Sequence, residues 1–177
     1  MSHNRDMGLL PGSETPVFTL DGIRKFHSWT HSSLTMLLDH LSTIPASDYT
    51  SELSGFGRPT VQQQVIHIFN CEGFWIHVLQ GLPYQGRTPG DCTDIIQARL
   101  LQQEVRQHTL TYLSGISDQQ LNSDTELRFA DADVDVRTPA LVLHHVLSHA
   151  FHHKGQIVAM CRLLGHPAPD TDLNQFV

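Results

Sequence analysis

The chain has 177 residues, of which 40% are hydrophobic and 16% charged, with a formal net charge of -7. That length suits one domain spanning residues 1–177, able to bury a core without disulfides, and the composition is that of an ordinary globular protein. The acidic balance, with no basic patch, excludes a nucleic-acid partner and gives anionic membranes no handle; no stretch approaches the ~20 apolar residues of a membrane helix, so the chain reads as cytoplasmic.

Four long amphipathic segments are predicted, separated by Pro- and Gly-rich punctuation. The first covers about Leu20 to Leu41, with Leu20, Ile23, His27, Leu34, Leu38 and Leu41 on one face, and stops before Pro45. The second opens at Arg58-Pro59-Thr60 and ends at Gly81-Leu82-Pro83, which places proline near its start and glycine just past its end. The third begins near Asp91-Cys92-Thr93, where Asp91 or Thr93 is the expected cap, and runs to Gly115. Next, Thr125–Phe129 and Val134–Arg137 alternate with period two, predicting a short hairpin or extended link. The fourth helix starts at Thr138-Pro139 and ends at Gly165-His166-Pro167. The stretch to about Thr15 and the tail from Pro167 read as irregular. The pattern predicts an all-α four-helix bundle with a long link before its last helix.

Histidine is the anomaly. The chain holds 13, and His144, His145, His149, His152 and His153 crowd into one stretch of the last helix, away from either terminus where a tag would sit. At ~100° per residue, Val142, Val146, Ile157, Met160 and Leu164 share an arc of about 60°. His153 falls in the middle of that stripe and His149 at its edge. His145 and His152 lie on the flank, and His144 points away. Core-facing imidazoles without partners are costly. Two of them at i, i+4, about 6 Å apart along the axis, can converge on one cation. His149 belongs to every workable pair (145/149, 149/152 and 149/153).

A third ligand must come from a facing helix. His67 shares a seam with Thr60, Cys71, Phe74 and Val78 on the second helix and supplies it. Three histidines leave a coordination position open, as at catalytic rather than structural zinc. His27 and His31 on the first helix are also spaced i, i+4, and spacing leaves open whether they are ligands, supporting partners or solvated residues. Cys71, one turn beyond His67, can approach the metal but reads first as a free core thiol. Cys71, Cys92 and Cys161 form no CxxC pair and are expected to be reduced.

Other machinery is missing from the sequence. His149-Ala150-Phe151-His152-His153 has no glutamate after its first histidine, so it is no HExxH protease helix. There is no Glu-x-x-His, no GxSxG elbow and no phosphate-cradling glycine loop. No general base is evident. His145 and His152 are candidates for supporting or proton-transfer roles.

The run His145-Val146-Leu147-Ser148-His149-Ala150-Phe151-His152-His153-Lys154-Gly155-Gln156-Ile157, its continuation Cys161 to Leu173, and the stretch Val65 to Glu72 closely resemble the DinB family of metalloproteins. The resemblance spans essentially the whole chain. It implies an up-up-down-down-like four-helix bundle, a homodimer, and a divalent transition metal, zinc or nickel foremost, on His67, His149 and His153. It further implies an enzyme acting on a small molecule. Related members include S-transferases using low-molecular-weight thiols such as bacillithiol and others called metal-dependent hydrolases; a non-catalytic metal-binding or stress-response bundle is the remaining alternative. The family name refers to DNA-damage induction and implies no DNA binding.

Overall fold

A computed structural model describes residues 18–129 and 133–176. Its elements are α1 (Leu20–Leu41), α2 (Ala46–Tyr49), α3 (Val61–Gln80), α4 (Ile95–Ser114), α5 (Asp118–Asn122), β1 (Thr125–Arg128), β2 (Val134–Arg137) and α6 (Pro139–Leu163). The four long helices match the four amphipathic segments. Each begins on a side chain that accepts a free backbone N–H: Thr19, Thr60, Asp94 and Thr138. For α4 the cap is Asp94 rather than Asp91 or Thr93. The Asp91 carboxylate instead accepts from the Thr88 amide and hydroxyl, and Thr93 donates to Gln97. At the end of α3, Gly81 adopts φ 66°, the left-handed turn that favours glycine.

The predicted hairpin is present, with Thr125 opposite Arg137 and Arg128 opposite Val134 in antiparallel register. Its Leu127 packs with Val78 and Val142 over one end of the α3–α6 seam. The expected irregular stretch to Thr15 lies outside the described residues. The tail from Pro167 is irregular apart from one 3-10 turn, Leu173–Gln175. It is tied down where buried Lys154 and Ser33 both donate to the Thr171 carbonyl.

Cross-helix contacts give the directions. Phe26 meets Phe151 and Ser33 meets Lys154, so α1 and α6 run parallel. Gln64 meets Gln156 while Trp75 meets His145, so α3 and α6 are antiparallel. Gln62 bonds Cys92 just ahead of α4 while Glu72 bonds Thr109, so α3 and α4 are parallel. Arg24 reaches Leu113 and Asp39 reaches Arg99, so α1 and α4 are antiparallel. The bundle has the two-up, two-down set of the sequence expectation, entered one helix out of step: up, down, down, up along the chain.

Besides the small cluster under the hairpin, the core has two parts. One apolar cluster holds Leu34, Leu37, Leu38 and Leu41 with Val65, Phe69, Leu101, Ile157 and Met160. The other joins Leu20 and Ile23 to Ile76, Leu113, Ala140 and Leu143. In α1 the residues between them, His27, Thr30 and His31, are buried and polar. No helix among the described residues is long and apolar enough to cross a membrane.

Candidate metal centre

The seam between α3 and α6 carries His67 from one side and His149 and His153 from the other. All three are partly buried. Ring centroids lie 4.8 Å apart for His67–His149, 4.5 Å for His67–His153 and 4.4 Å for His149–His153. One ring nitrogen of each falls within 4.8 Å of the others. Nitrogens bonded to a tetrahedral ion at ~2.1 Å sit roughly 3.4 Å apart, so small ring rotations are enough to close the group. Among the described residues no hydrogen bond links the three rings, and the buried Nδ1 of His149 has no hydrogen-bond partner at all.

The orientation of His153 is fixed from outside. Buried Gln64 donates through Nε2 to the Arg58 carbonyl at 2.8 Å and to Gln156 Oε1 at 2.8 Å. A carbonyl can only accept, so the amide nitrogen of Gln64 faces those two oxygens and its Oε1 faces His153 Nδ1 at 2.6 Å. His153 therefore carries its proton on Nδ1 and leaves the Nε2 lone pair free, the arrangement of a metal-ligating imidazole backed by an acceptor. The relay continues as Gln156 donates to His152 Nε2 at 2.7 Å.

Charge follows the same direction. Burial, then the Arg58 charge and His149, holds His67 down to about 4. Burial, with His145, His152 and Arg58 adding, lowers His149 to about 4. Burial and the neighbouring rings, with Arg58, lower His153 to about 3. At neutral pH all three rings are uncharged and their lone pairs available. No carboxylate contributes to any of these three shifts. Donor type, protonation and backing acceptor all fit a divalent transition metal.

A second group lies in the middle of the bundle. The rings of His27 and His31 are 4.3 Å apart, and both Nε2 atoms bond Glu72, at 2.8 and 3.0 Å. Thr109 donates a third bond to the same carboxylate at 2.6 Å. Burial pushes Glu72 up, but the facing His31 and His27 outweigh it and hold the carboxyl well below the usual range. His27 is itself lowered, because burial outweighs its bond to Glu72. These residue types are also a conceivable ligand set. Here, however, the nitrogens that would ligate are already satisfied, while both Nδ1 atoms are buried without an acceptor. Ligation through Nε2 would leave two orphan N–H groups, whereas Nε2–H donors to Glu72 leave only two orphan lone pairs.

The DinB family model matches residues 17–177. The chain belongs to the DinB family. Protein DinB of Bacillus subtilis (strain 168) is 20% identical over 161 residues, covering 86% of this chain and 90% of that protein. The crystal structure of a DinB-like protein from Bacillus cereus ATCC 10987 superposes with a TM-score of 0.68 at 19% identity, over 86% of this chain and 97% of that one. The structural likeness speaks for the fold alone.

Of the residues singled out in the sequence of this DinB-family protein, His67, His149 and His153 meet at the seam. His145 stands beside them, 5.7 Å from His149, and His152 is 4.9 Å from His153. His27 goes to the core with Glu72. Burial, then the Glu72 charge, raises the Cys71 thiol to about 11, so it stays protonated at neutral pH. The sequence reading missed the roles of Glu72, Gln64, Gln156 and Arg58. Gln64 carried a signal, since it sits one turn before His67 on the same face of α3.

Proposed function

We propose that the protein is a divalent-metal-dependent enzyme holding its ion on His67, His149 and His153, and that it transfers a low-molecular-weight thiol to a small electrophilic substrate. The observation that carries the metal reading is a cluster of three neutral imidazoles, unbonded to one another, with the tautomer of His153 fixed by Gln64. A divalent ion there supplies a Lewis acid that favours the deprotonated form of a thiol or water brought to it. Gln64 keeps His153 presented to the seam, and the apolar packing of α3 on α6 keeps the rings together.

Thiol transfer is favoured over hydrolysis by what surrounds the rings. Water is a weak acid, and its activation is usually helped by a positioned base. A thiol ionises near pH 8.5 unaided and needs little more than a nearby positive charge. The Arg58 charge reaches all three rings and adds to that positive field. Homodimerisation and zinc or nickel as the ion are part of the same proposal.

The test is metal analysis of untagged protein followed by a thiol-transfer assay. About one equivalent of transition metal is expected, with metal-dependent consumption of a small thiol in the presence of an electrophile such as a haloarene. Absence of bound metal after incubation with zinc and nickel overturns the reading. Bound metal with ester hydrolysis and no thiol consumption overturns the transferase half.

A further inference from the structure

Beside His67 the surface opens into a cleft of about 350 Å³, lined by Arg58, Gln63, Ile66, His67, Asn70 and Arg87. Both arginines are placed there by their backbones. The Arg58 carbonyl accepts from Gln64, the same side chain that orients His153, and Pro59 restricts Arg58 to extended backbone. Arg87 is pinned to α3 by Asn70, whose Oδ1 accepts from the Arg87 amide at 2.9 Å and whose Nδ2 donates to the Arg87 carbonyl at 2.7 Å. Tyr84 donates to the same Asn70 oxygen, and its ring lies so close to Gly73 that a Cβ there would come within 2.6 Å of the hydroxyl.

The charge of this cleft is out of balance. Arg58 is exposed and makes no ion pair among the described residues. Arg87 pairs with Glu104 at 3.2 Å, both half-exposed, a contact weak enough to exchange. Three neutral imidazoles leave the charge of a divalent ion uncompensated, and a guanidinium beside them disfavours that ion further. An anion entering the cleft corrects both. A planar guanidinium matches a carboxylate with two parallel hydrogen bonds.

Resting on the metal reading above, we propose that the cleft is the binding site for a carboxylate-bearing small thiol. Arg58 holds the carboxylate, with Arg87 in support, while the thiol end faces His67, the member of the metal group on the cleft wall. Arg58 is thus a specificity residue for the thiol co-substrate.

The experiment uses the full-length protein loaded with cobalt(II), whose visible absorption reports first the ion and then the thiol. 3-Mercaptopropionate and 3-mercapto-1-propanol differ only in the carboxylate. Wild type should bind the acid at least about tenfold more tightly, as expected for charge-assisted hydrogen bonds. Arg58→Gln should erase that preference while keeping one equivalent of cobalt, bound at least as tightly, and leaving the affinity for the alcohol and thermal melting unchanged; Arg58→Lys should keep part of it. Equal affinities in wild type, or a preference that survives in Arg58→Gln, overturn the proposal while the metal reading stands. Failure of cobalt to bind, or cobalt spectra identical in His149→Ala, overturns the metal reading and this proposal with it.

Discussion

Two groups of histidines built on the same i, i+4 spacing behave differently in this molecule. At the α3–α6 seam, His149 and His153 face a third imidazole, and no acceptor joins the rings. In the bundle centre, His27 and His31 face a carboxylate that also accepts from Thr109. In the core group both Nε2 atoms and the carboxylate bond one another, leaving only the two Nδ1 atoms unpartnered, and Glu72 ties α1 to α3 across the diagonal. The seam group has no such acceptor between its rings, which leaves nitrogens that could hold a cation, and His153 has its backing acceptor in Gln64. Spacing brings imidazoles together; the partner from the facing helix decides whether their nitrogens are already bonded or left for a ligand.

The comparison breaks most readily at Glu72. Glu72→Ala leaves two buried imidazoles without their acceptor, while the Thr109 hydroxyl keeps the Val105 carbonyl, and should lower stability by about 3–5 kcal/mol in urea unfolding. The folded fraction should still bind one equivalent of metal. Metal loss at unchanged stability would reverse the roles given to the two groups.

Gln64→Ala should have the next largest effect, weakening metal binding by about 10- to 100-fold through loss of the acceptor behind His153. Gln64→Glu keeps an acceptor and should retain most of the affinity. An unchanged metal affinity in Gln64→Ala would show that the relay to His153 does not support ligation.

Acid separates the groups more gently. The seam histidines titrate in the folded, metal-free protein at about 4, 4 and 3, below their ordinary 6.5. The unfolded chain therefore takes up those protons first, and metal-free stability should decline as pH falls from about 6.5 toward 4. Bound metal, which also needs neutral rings, should raise stability throughout but make it fall at least as steeply with acid, the ion leaving as the rings protonate. Glu72, lowered from 4.5, contributes stability above that value that is lost only as pH falls further. A melting curve flat from pH 7 to 5 without metal would contradict the neutral, buried state given to the seam.

Much of this was legible in the chain. Thr60, Thr138 and Gly81 mark helix ends through local capping chemistry, and the 3.6-residue period put His149 and His153 on the same face as Val142 and Ile157. A helical wheel shows which residues share a face but not which helix lies opposite. For that reason His27 and His31 were left open, and Glu72, their partner from a diagonal helix, had no local signature. The order of helix directions is hidden for the same reason, since it depends on which seams pack. Arg58 and Gln64 have their roles only once the Arg58 carbonyl meets Gln64 and α3 packs on α6. The cap of α4 was misplaced because Asp91, Thr93 and Asp94 have equal capping chemistry, and the Thr88 turn claims Asp91 first.

The most direct test of the seam assignment is a zinc titration of three proteins side by side: wild type, His149→Ala and His27→Gln, the last keeping an N–H donor for Glu72. About one equivalent should bind to wild type and to His27→Gln with similar affinity, while His149→Ala should bind on the order of a hundredfold more weakly or not at all. Undiminished binding in His149→Ala, with loss in His27→Gln, would place the metal in the core and contradict the account.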